Sequence, residues 1–196
     1  MLTDLARKYS RVILEPIARF VGWTNISPNV ITMIGFLLTA GVAVVILMGN
    51  LQLGGFLIIA AAVFDALDGT LARMMGRTSR FGAFLDSTMD RFSEAVIFLG
   101  LFVYFALQGV QTELILIYVT IVGSLMVSYT RARAEGLGIQ VKEGLLTRFE
   151  RVVLLVIGLI FNWLLPVLWI LAIFTIFTAI QRIYVVWRIT DGERGG

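Results

Sequence analysis

The chain has 196 residues, 59% of them hydrophobic and 15% charged, with a mean hydropathy of +0.92. Soluble domains run nearer half apolar and a quarter charged, so this composition excludes an ordinary soluble domain and points to a membrane protein. Cysteine and histidine are both missing. That rules out disulfides, thiolate metal sites and the commonest general base, and leaves carboxylates for acid–base work.

In chain order, residues 1–22 set Leu2, Leu5, Val12, Ile13, Ile17, Phe20 and Val21 against a polar side of Thr3, Asp4, Arg7, Lys8, Arg11 and Glu15. The spacing predicts an amphipathic helix lying on the membrane surface. The stretch has no continuous apolar core and no small-residue cleavage site, so it is not expected to be a secretory signal. Six apolar runs follow, at residues 30–48, 53–71, 84–107, 114–130, 152–165 and 168–187. Runs of this length predict membrane-spanning helices. The fifth is short and is expected to begin among the charged residues before it. The expected fold is therefore all-α: a polytopic membrane protein with six transmembrane helices in residues 23–196, plus the N-terminal juxtamembrane amphipathic helix. Gly35, Gly41, Gly54 and Gly55 are candidates for close helix packing.

The sixteen basic residues are unevenly placed. Arg7, Lys8, Arg11 and Arg19 precede the first span. Arg73, Arg77, Arg80 and Arg91 surround the link between spans two and three. Arg131, Arg133, Lys142, Arg148 and Arg151 surround the link between spans four and five, and Arg182, Arg188 and Arg194 are C-terminal. The other three links, near residues 49–52, 109–112 and 162–166, carry none. The positive-inside rule then predicts both termini in the cytoplasm of a multi-pass cell-membrane protein. The same placement accounts for the +3 net charge and the pI of about 9.6 without a nucleic-acid partner.

The segments Phe64-Asp-Ala-Leu-Asp-Gly-Thr-Leu-Ala-Arg73 and Arg80-Phe-Gly-Ala-Phe-Leu-Asp-Ser-Thr-Met-Asp-Arg91 carry the chemistry. Asp65 and Asp68 are three apart and Asp86 and Asp90 four apart, so each pair shares a helix face. The first pair falls at the cytoplasmic end of span two and the second at the cytoplasmic start of span three. Antiparallel packing would gather all four carboxylates at one depth. Four such charges repel unless arginines such as Arg73 and Arg91, or bound cations, compensate them. Ligands that are all oxygen favour magnesium, manganese or calcium over zinc.

The spacing D-x2-D-G-x2-A-R-x8-G-x3-D-x3-D is complete here as Asp65, Asp68, Gly69, Ala72, Arg73, Gly82, Asp86 and Asp90. It resembles the signature of the CDP-alcohol phosphatidyltransferases, and the expected six-span topology agrees with that family. The resemblance implies a two-metal site of Mg2+ or Mn2+ held by Asp65, Asp68, Asp86 and Asp90, with Asp90 also the general base. It further implies that Gly69, Ala72 and Gly82 line a CDP pocket and that Arg73 contacts a nucleotide phosphate. Asn29 and Thr32, in Ser27-Pro-Asn-Val-Ile-Thr32, would approach the CDP group. The implied reaction is attack by an alcohol on the lipid-bearing phosphate of CDP-diacylglycerol, releasing CMP, in an enzyme expected to be a homodimer.

Ser128, Arg131 and Arg133 end span four, Arg148 and Arg151 open span five, and Arg182 lies near the end of span six. Arginine grips phosphate with paired donors, so these residues are candidates to bind a phosphorylated alcohol. The runs Arg80-Phe-Gly-Ala, Leu85-Asp-Ser-Thr-Met-Asp-Arg-Phe-Ser93, Ser128-Tyr and Glu150-Arg151 resemble the phosphatidylinositol phosphate synthases of actinobacteria, which implies inositol 1-phosphate as acceptor. Arg131 stands where those enzymes commonly carry lysine. Phosphatidylglycerophosphate synthases, which use glycerol 3-phosphate, usually read D-P-x-A-D-K where this chain reads Asp86-Ser-Thr-Met-Asp-Arg91. An archaetidylinositol phosphate synthase is a further alternative. A cation transporter, the rival from another class, would place its acids nearer the bilayer midplane.

Overall fold

The computed structural model describes residues 27–74, 79–141 and 144–192, with the side chains of 66–74 and 192 outside the description. The predicted amphipathic helix at residues 1–22 and Lys142 also lie outside it. Among the described residues the chain is all-helical: α1 (Pro28–Leu47), α2 (Leu51–Met74), α3 (Arg80–Gln108), α4 (Gln111–Glu135), α5 (Arg148–Ile160) and α6 (Leu164–Gly192). The chain divides into two compact units, Met1–Leu101 and Phe102–Gly196, with α3 passing through the division.

The three links without basic residues close in one way. Gly49 (φ 88°), Gly109 (φ 73°) and Asn162 (φ 56°) take the left-handed conformation just past the ends of α1, α3 and α5. The next N–H then reaches back to the helix: Asn50 to the Val45 carbonyl, Val110 to Phe105 and Trp163 to Gly158, at 3.2, 3.2 and 2.9 Å. These are helix-ending turns that satisfy carbonyls otherwise orphaned, and they leave only a few residues before the following helix.

α2, α3, α4 and α6 extend one to five residues beyond their apolar runs at each end, whereas the fifth helix is shifted toward the N-terminus. That helix begins at Arg148, where Thr147 and Glu150 form a capping box and the Thr147 N–H donates to Glu150 Oε2 at 2.9 Å. It ends at Ile160, so Leu164 and Leu165 belong to α6. Pro166 is not a boundary. It sits in the first turn of α6, where a missing N–H costs nothing.

Among the described residues three helices, Pro28–Leu47, Gln111–Glu135 and Leu164–Asp191, are long and apolar enough to cross a membrane, and Leu51–Asp65 of α2 is a shorter apolar stretch. Their outward faces carry Leu37, Phe56, Ile115, Trp169, Ile173, Phe177 and Ile180, all exposed, a surface unfavourable in water and suited to lipid. Trp163, just before α6, and Tyr184, within it, are exposed and each lies near another ring, Phe161 and Trp187 respectively. The step of 21 residues from Trp163 to Tyr184 spans ~32 Å at ~1.5 Å per residue, matching a hydrocarbon core of about 30 Å with aromatic side chains at both interfaces. The protein is a membrane protein.

Within the first unit, α1 buries one stripe, Ile31, Thr32, Gly35, Thr39, Val42, Ala43 and Ile46. It packs against α2 and α3 where side chains are smallest. Ile46 fills the space left at Gly54, and Phe36 meets the edge of Phe92 at 6.5 Å. A Cβ on Gly100 would lie 2.6 Å from the Ala43 carbonyl oxygen, so the α1 and α3 backbones are in contact there. Gly54 and Gly100 therefore serve packing, whereas nothing lies within 4 Å of a Cβ at Gly41. In the second unit, Gly123 faces Thr175 of α6, and Gly158 of α5 faces Val167.

Gly100→Ala forces the α1 and α3 backbones apart and is expected to cost about 1–3 kcal/mol, roughly 3–10 °C in Tm. Gly41→Ala should leave Tm unchanged or raise it slightly. Thermal unfolding of both variants in detergent checks this, and equal Tm values would contradict the packing assignment.

Candidate metal and substrate site

The acidic site is built from α2 and α3 within the first unit. Asp65 comes from α2; Asp86 and Asp90 lie one turn apart on α3 and present the same face, as their spacing requires. One carboxylate oxygen from each of the three lies within 4.8 Å of the others, and all three side chains are half-buried. At that separation each pair of charges repels by on the order of 3 kcal/mol at an effective dielectric of about 20. Two oxygens bound to one hard cation at about 2.0–2.6 Å can be no more than ~4–5 Å apart, so the cluster has the spacing of a shared ligand set. Donor chemistry and geometry both fit magnesium or manganese. Asp68, Gly69, Ala72 and Arg73 occupy the following turns of α2, and their side chains lie outside the description.

The start of α3 is held by Ser79, whose hydroxyl accepts the Gly82 N–H at 2.9 Å and whose carbonyl accepts the Ala83 N–H at 3.1 Å. This cap sets where α3 begins and so fixes Asp86 and Asp90 about two and three turns further on. Arg91 Nη1 donates to the Ser87 carbonyl.

Two of the expected CDP-binding residues come together. Asn29, in the first turn of α1, and Gly82, in the first turn of α3, are so close that a Cβ on Gly82 would lie 3.2 Å from Asn29 Oδ1. Thr32 is buried one turn along α1, its hydroxyl donating to the Pro28 carbonyl at 3.2 Å. Gly35 follows after another three residues, and its Cβ position lies 3.8 Å from Asp65 Oδ1 and 3.6 Å from the Phe64 ring. Asn29, Thr32 and Gly35 thus form one stripe on α1 that runs toward the acidic cluster. The sequence marks Gly35 only as a packing glycine. Its spacing of three from Thr32 is the signal that ties it to this site.

The expected acceptor-phosphate residues, all in the second unit, separate into two groups. Arg151 and Arg182 are withdrawn from solvent, at 2% and 4% exposure. Arg151 Nη1 donates to the Leu146 carbonyl at 3.3 Å, and Arg182 Nη1 to the Val127 carbonyl beside Ser128. Arg148 and Ser128 are half-buried. Arg131 and Arg133 are exposed, and Arg131 Nε pairs with Glu135 at 2.8 Å, one turn along the same helix. An exposed pair of this kind adds little stability. Buried guanidiniums in an apolar bundle are costly and mark functional positions.

Among the described residues, an all-helical membrane bundle with three convergent carboxylates has the donor set that a metal-dependent membrane enzyme needs. The model of the CDP-alcohol phosphatidyltransferase family matches residues 25–185. The chain belongs to that family, and it is a transferase. It is 40% identical over 172 residues to the archaetidylinositol phosphate synthase of Pyrococcus horikoshii, covering 87% of this chain and 89% of that one. It is 37% identical over 206 residues to the phosphatidylinositol phosphate synthase of Streptomyces avermitilis, covering 96% and 83% respectively. Crystal structures of the Mycobacterium tuberculosis phosphatidylinositol phosphate synthase superpose closely at 32% identity. The form with CDP-DAG bound gives a TM-score of 0.84, covering 89% of this chain and 94% of that one. The form in complex with manganese and citrate gives 0.83, covering 89% and 88%.

Asp86→Asn keeps the shape of the side chain and removes its charge, and should weaken Mn2+ binding more than tenfold. Asp191→Asn, on the exposed end of α6, should leave it within twofold. Calorimetric titration of the two purified variants with Mn2+ decides between these outcomes.

Proposed function

We propose that this enzyme transfers the phosphatidyl group of CDP-diacylglycerol to inositol 1-phosphate, making phosphatidylinositol phosphate and releasing CMP. The observation that carries the reading is the convergence of Asp65, Asp86 and Asp90 from two helices, with oxygens within 4.8 Å of one another, in a chain that matches the family over residues 25–185. The acceptor is supported by the relatives' names. One makes an archaetidyl and the other a phosphatidyl lipid, and both names specify inositol phosphate. The first relative keeps archaetidylinositol phosphate synthesis as a second reading, which differs in the lipid and not in the head group.

In this mechanism Asp65, Asp68 and Asp86 hold divalent metal, Mg2+ or Mn2+, in a two-metal site, and Asp90 both shares in that binding and takes the proton of the acceptor hydroxyl. Bound metal would neutralise pyrophosphate charge and stabilise the departing CMP. Asn29, Thr32, Gly69, Ala72 and Gly82 receive the CDP group, with small residues giving it close access to the helix ends, and Arg73 contacts its phosphate. Ser128, Arg131, Arg133, Arg148, Arg151 and Arg182 bind the acceptor's phosphate, Arg151 and Arg182 from buried positions where a charge-assisted contact is strongest. A hydroxyl is a poor nucleophile near neutral pH, and in a chain with no histidine a carboxylate is the available base.

The same reading gives six transmembrane helices, a surface helix at residues 1–22, both termini and the active site in the cytoplasm, and a homodimer. The charge asymmetry of the links supports the orientation.

Purified protein with Mn2+ and CDP-diacylglycerol should release CMP with inositol 1-phosphate and much more slowly with glycerol 3-phosphate, free inositol or serine. Robust turnover with glycerol 3-phosphate and none with inositol 1-phosphate would overturn the acceptor assignment. Asp90→Asn should lower CMP release by at least about 100-fold in folded protein, the scale of a lost general base.

A further inference from the structure

The hydroxyl contacts of the bundle mostly run back along their own helix, as Thr39 does to Gly35, Thr120 to Leu116 and Thr130 to Met126, at 2.9, 2.8 and 2.8 Å. That is the usual economy of a hydroxyl in apolar surroundings. Thr178 does more. Its Oγ1 donates to the Phe174 carbonyl at 2.7 Å and also accepts the Leu146 N–H at 3.3 Å, from a segment 32 residues away. The side chain is fully buried, so that second bond replaces no contact with solvent.

The segment it holds touches both buried guanidiniums. The carbonyl of Leu146, the residue Thr178 grips by its N–H, accepts from Arg151 Nη1 at 3.3 Å. Two residues earlier, Gly144 lies against Arg182. A Cβ there would be 3.0 Å from Arg182 Nη2, 3.4 Å from Nε and 3.0 Å from Thr178 Cγ2, on a backbone with φ 156° that L side chains rarely adopt. The turn of residues 144–147 is thus tied to Thr178, bonded to one arginine and fitted by a missing side chain to the other.

We propose that Thr178 and Gly144 are positioning residues for recognition of the acceptor's phosphate: together they lock the 144–147 turn onto α6 and fix the directions of the Arg151 and Arg182 guanidiniums. The inference rests on the reading of those arginines as the acceptor-phosphate groups, and it adds residues that contact no substrate themselves. Paired N–H donors reward a phosphate only when their planes are held in place beforehand, so loosening the turn should weaken acceptor binding ahead of chemistry.

The test is steady-state CMP release, with KM and kcat measured separately for inositol 1-phosphate and CDP-diacylglycerol. Thr178→Val keeps the shape and removes the acceptor of the Leu146 N–H. It should raise the KM for inositol 1-phosphate about tenfold, the size expected for one lost positioning hydrogen bond. The kcat and the KM for CDP-diacylglycerol should stay within about twofold, and Thr178→Ser should restore the acceptor KM. Gly144→Ala retains the hydroxyl and crowds Arg182, so it should raise the same KM at least threefold, and it decides the matter if Thr178→Val does not fold. An unchanged acceptor KM in these variants, or an equal rise for both substrates, overturns the proposal. Arg151→Ala and Arg182→Ala separate the two levels. If they leave the acceptor KM unchanged, the acceptor-pocket reading itself fails. If they raise it while Thr178→Val and Gly144→Ala do not, the positioning inference alone fails.

Discussion

Mutual repulsion among carboxylates on two neighbouring helices is the constraint on which the rest of this structure depends. Asp65, Asp86 and Asp90 are brought within 4.8 Å of one another in half-buried surroundings, an arrangement that needs cationic compensation to be stable. The fold supplies rigidity for that purpose. The Ser79 cap fixes where α3 begins, and the contact between the α1 and α3 backbones at Ala43 and Gly100 fixes how α3 lies against α1. Small displacements of a metal-binding constellation cost function, so such sites favour regular helices over loops.

The first unit keeps side chains small along the stripe of α1 that leads to the acidic cluster. Asn29 and Gly82 meet at the starts of two helices, and Gly35 stands against Asp65. The second unit solves a different problem, holding fixed positive charge inside an apolar bundle. It does so with backbone carbonyls at Leu146 and Val127 that accept from Arg151 and Arg182, and with a turn that a helix hydroxyl holds in place.

Much of this was legible in the sequence because it is local. The spacings of three and four that put the acids on common faces, and the apolar runs, follow from a few neighbouring residues. The fifth helix was misjudged at its far end. The apolar run continues to Leu165, yet the left-handed Asn162 ends the helix, and Pro166 is harmless at the third position of the next one. The arginines show the limit of local reading. Arg131, Arg133, Arg151 and Arg182 look alike as helix-end cations, and only tertiary packing buries the last two while leaving Arg131 paired with Glu135 at the surface. Thr178 was illegible for the same reason, since its partner Leu146 is 32 residues distant.

Anomalous diffraction from crystals grown with Mn2+ tests the central claim most directly. The account predicts a manganese peak bounded by oxygens of Asp65, Asp86 and Asp90, each about 2.0–2.6 Å away. Manganese bound elsewhere, with these three carboxylates turned apart or neutralised by arginine side chains, would contradict it.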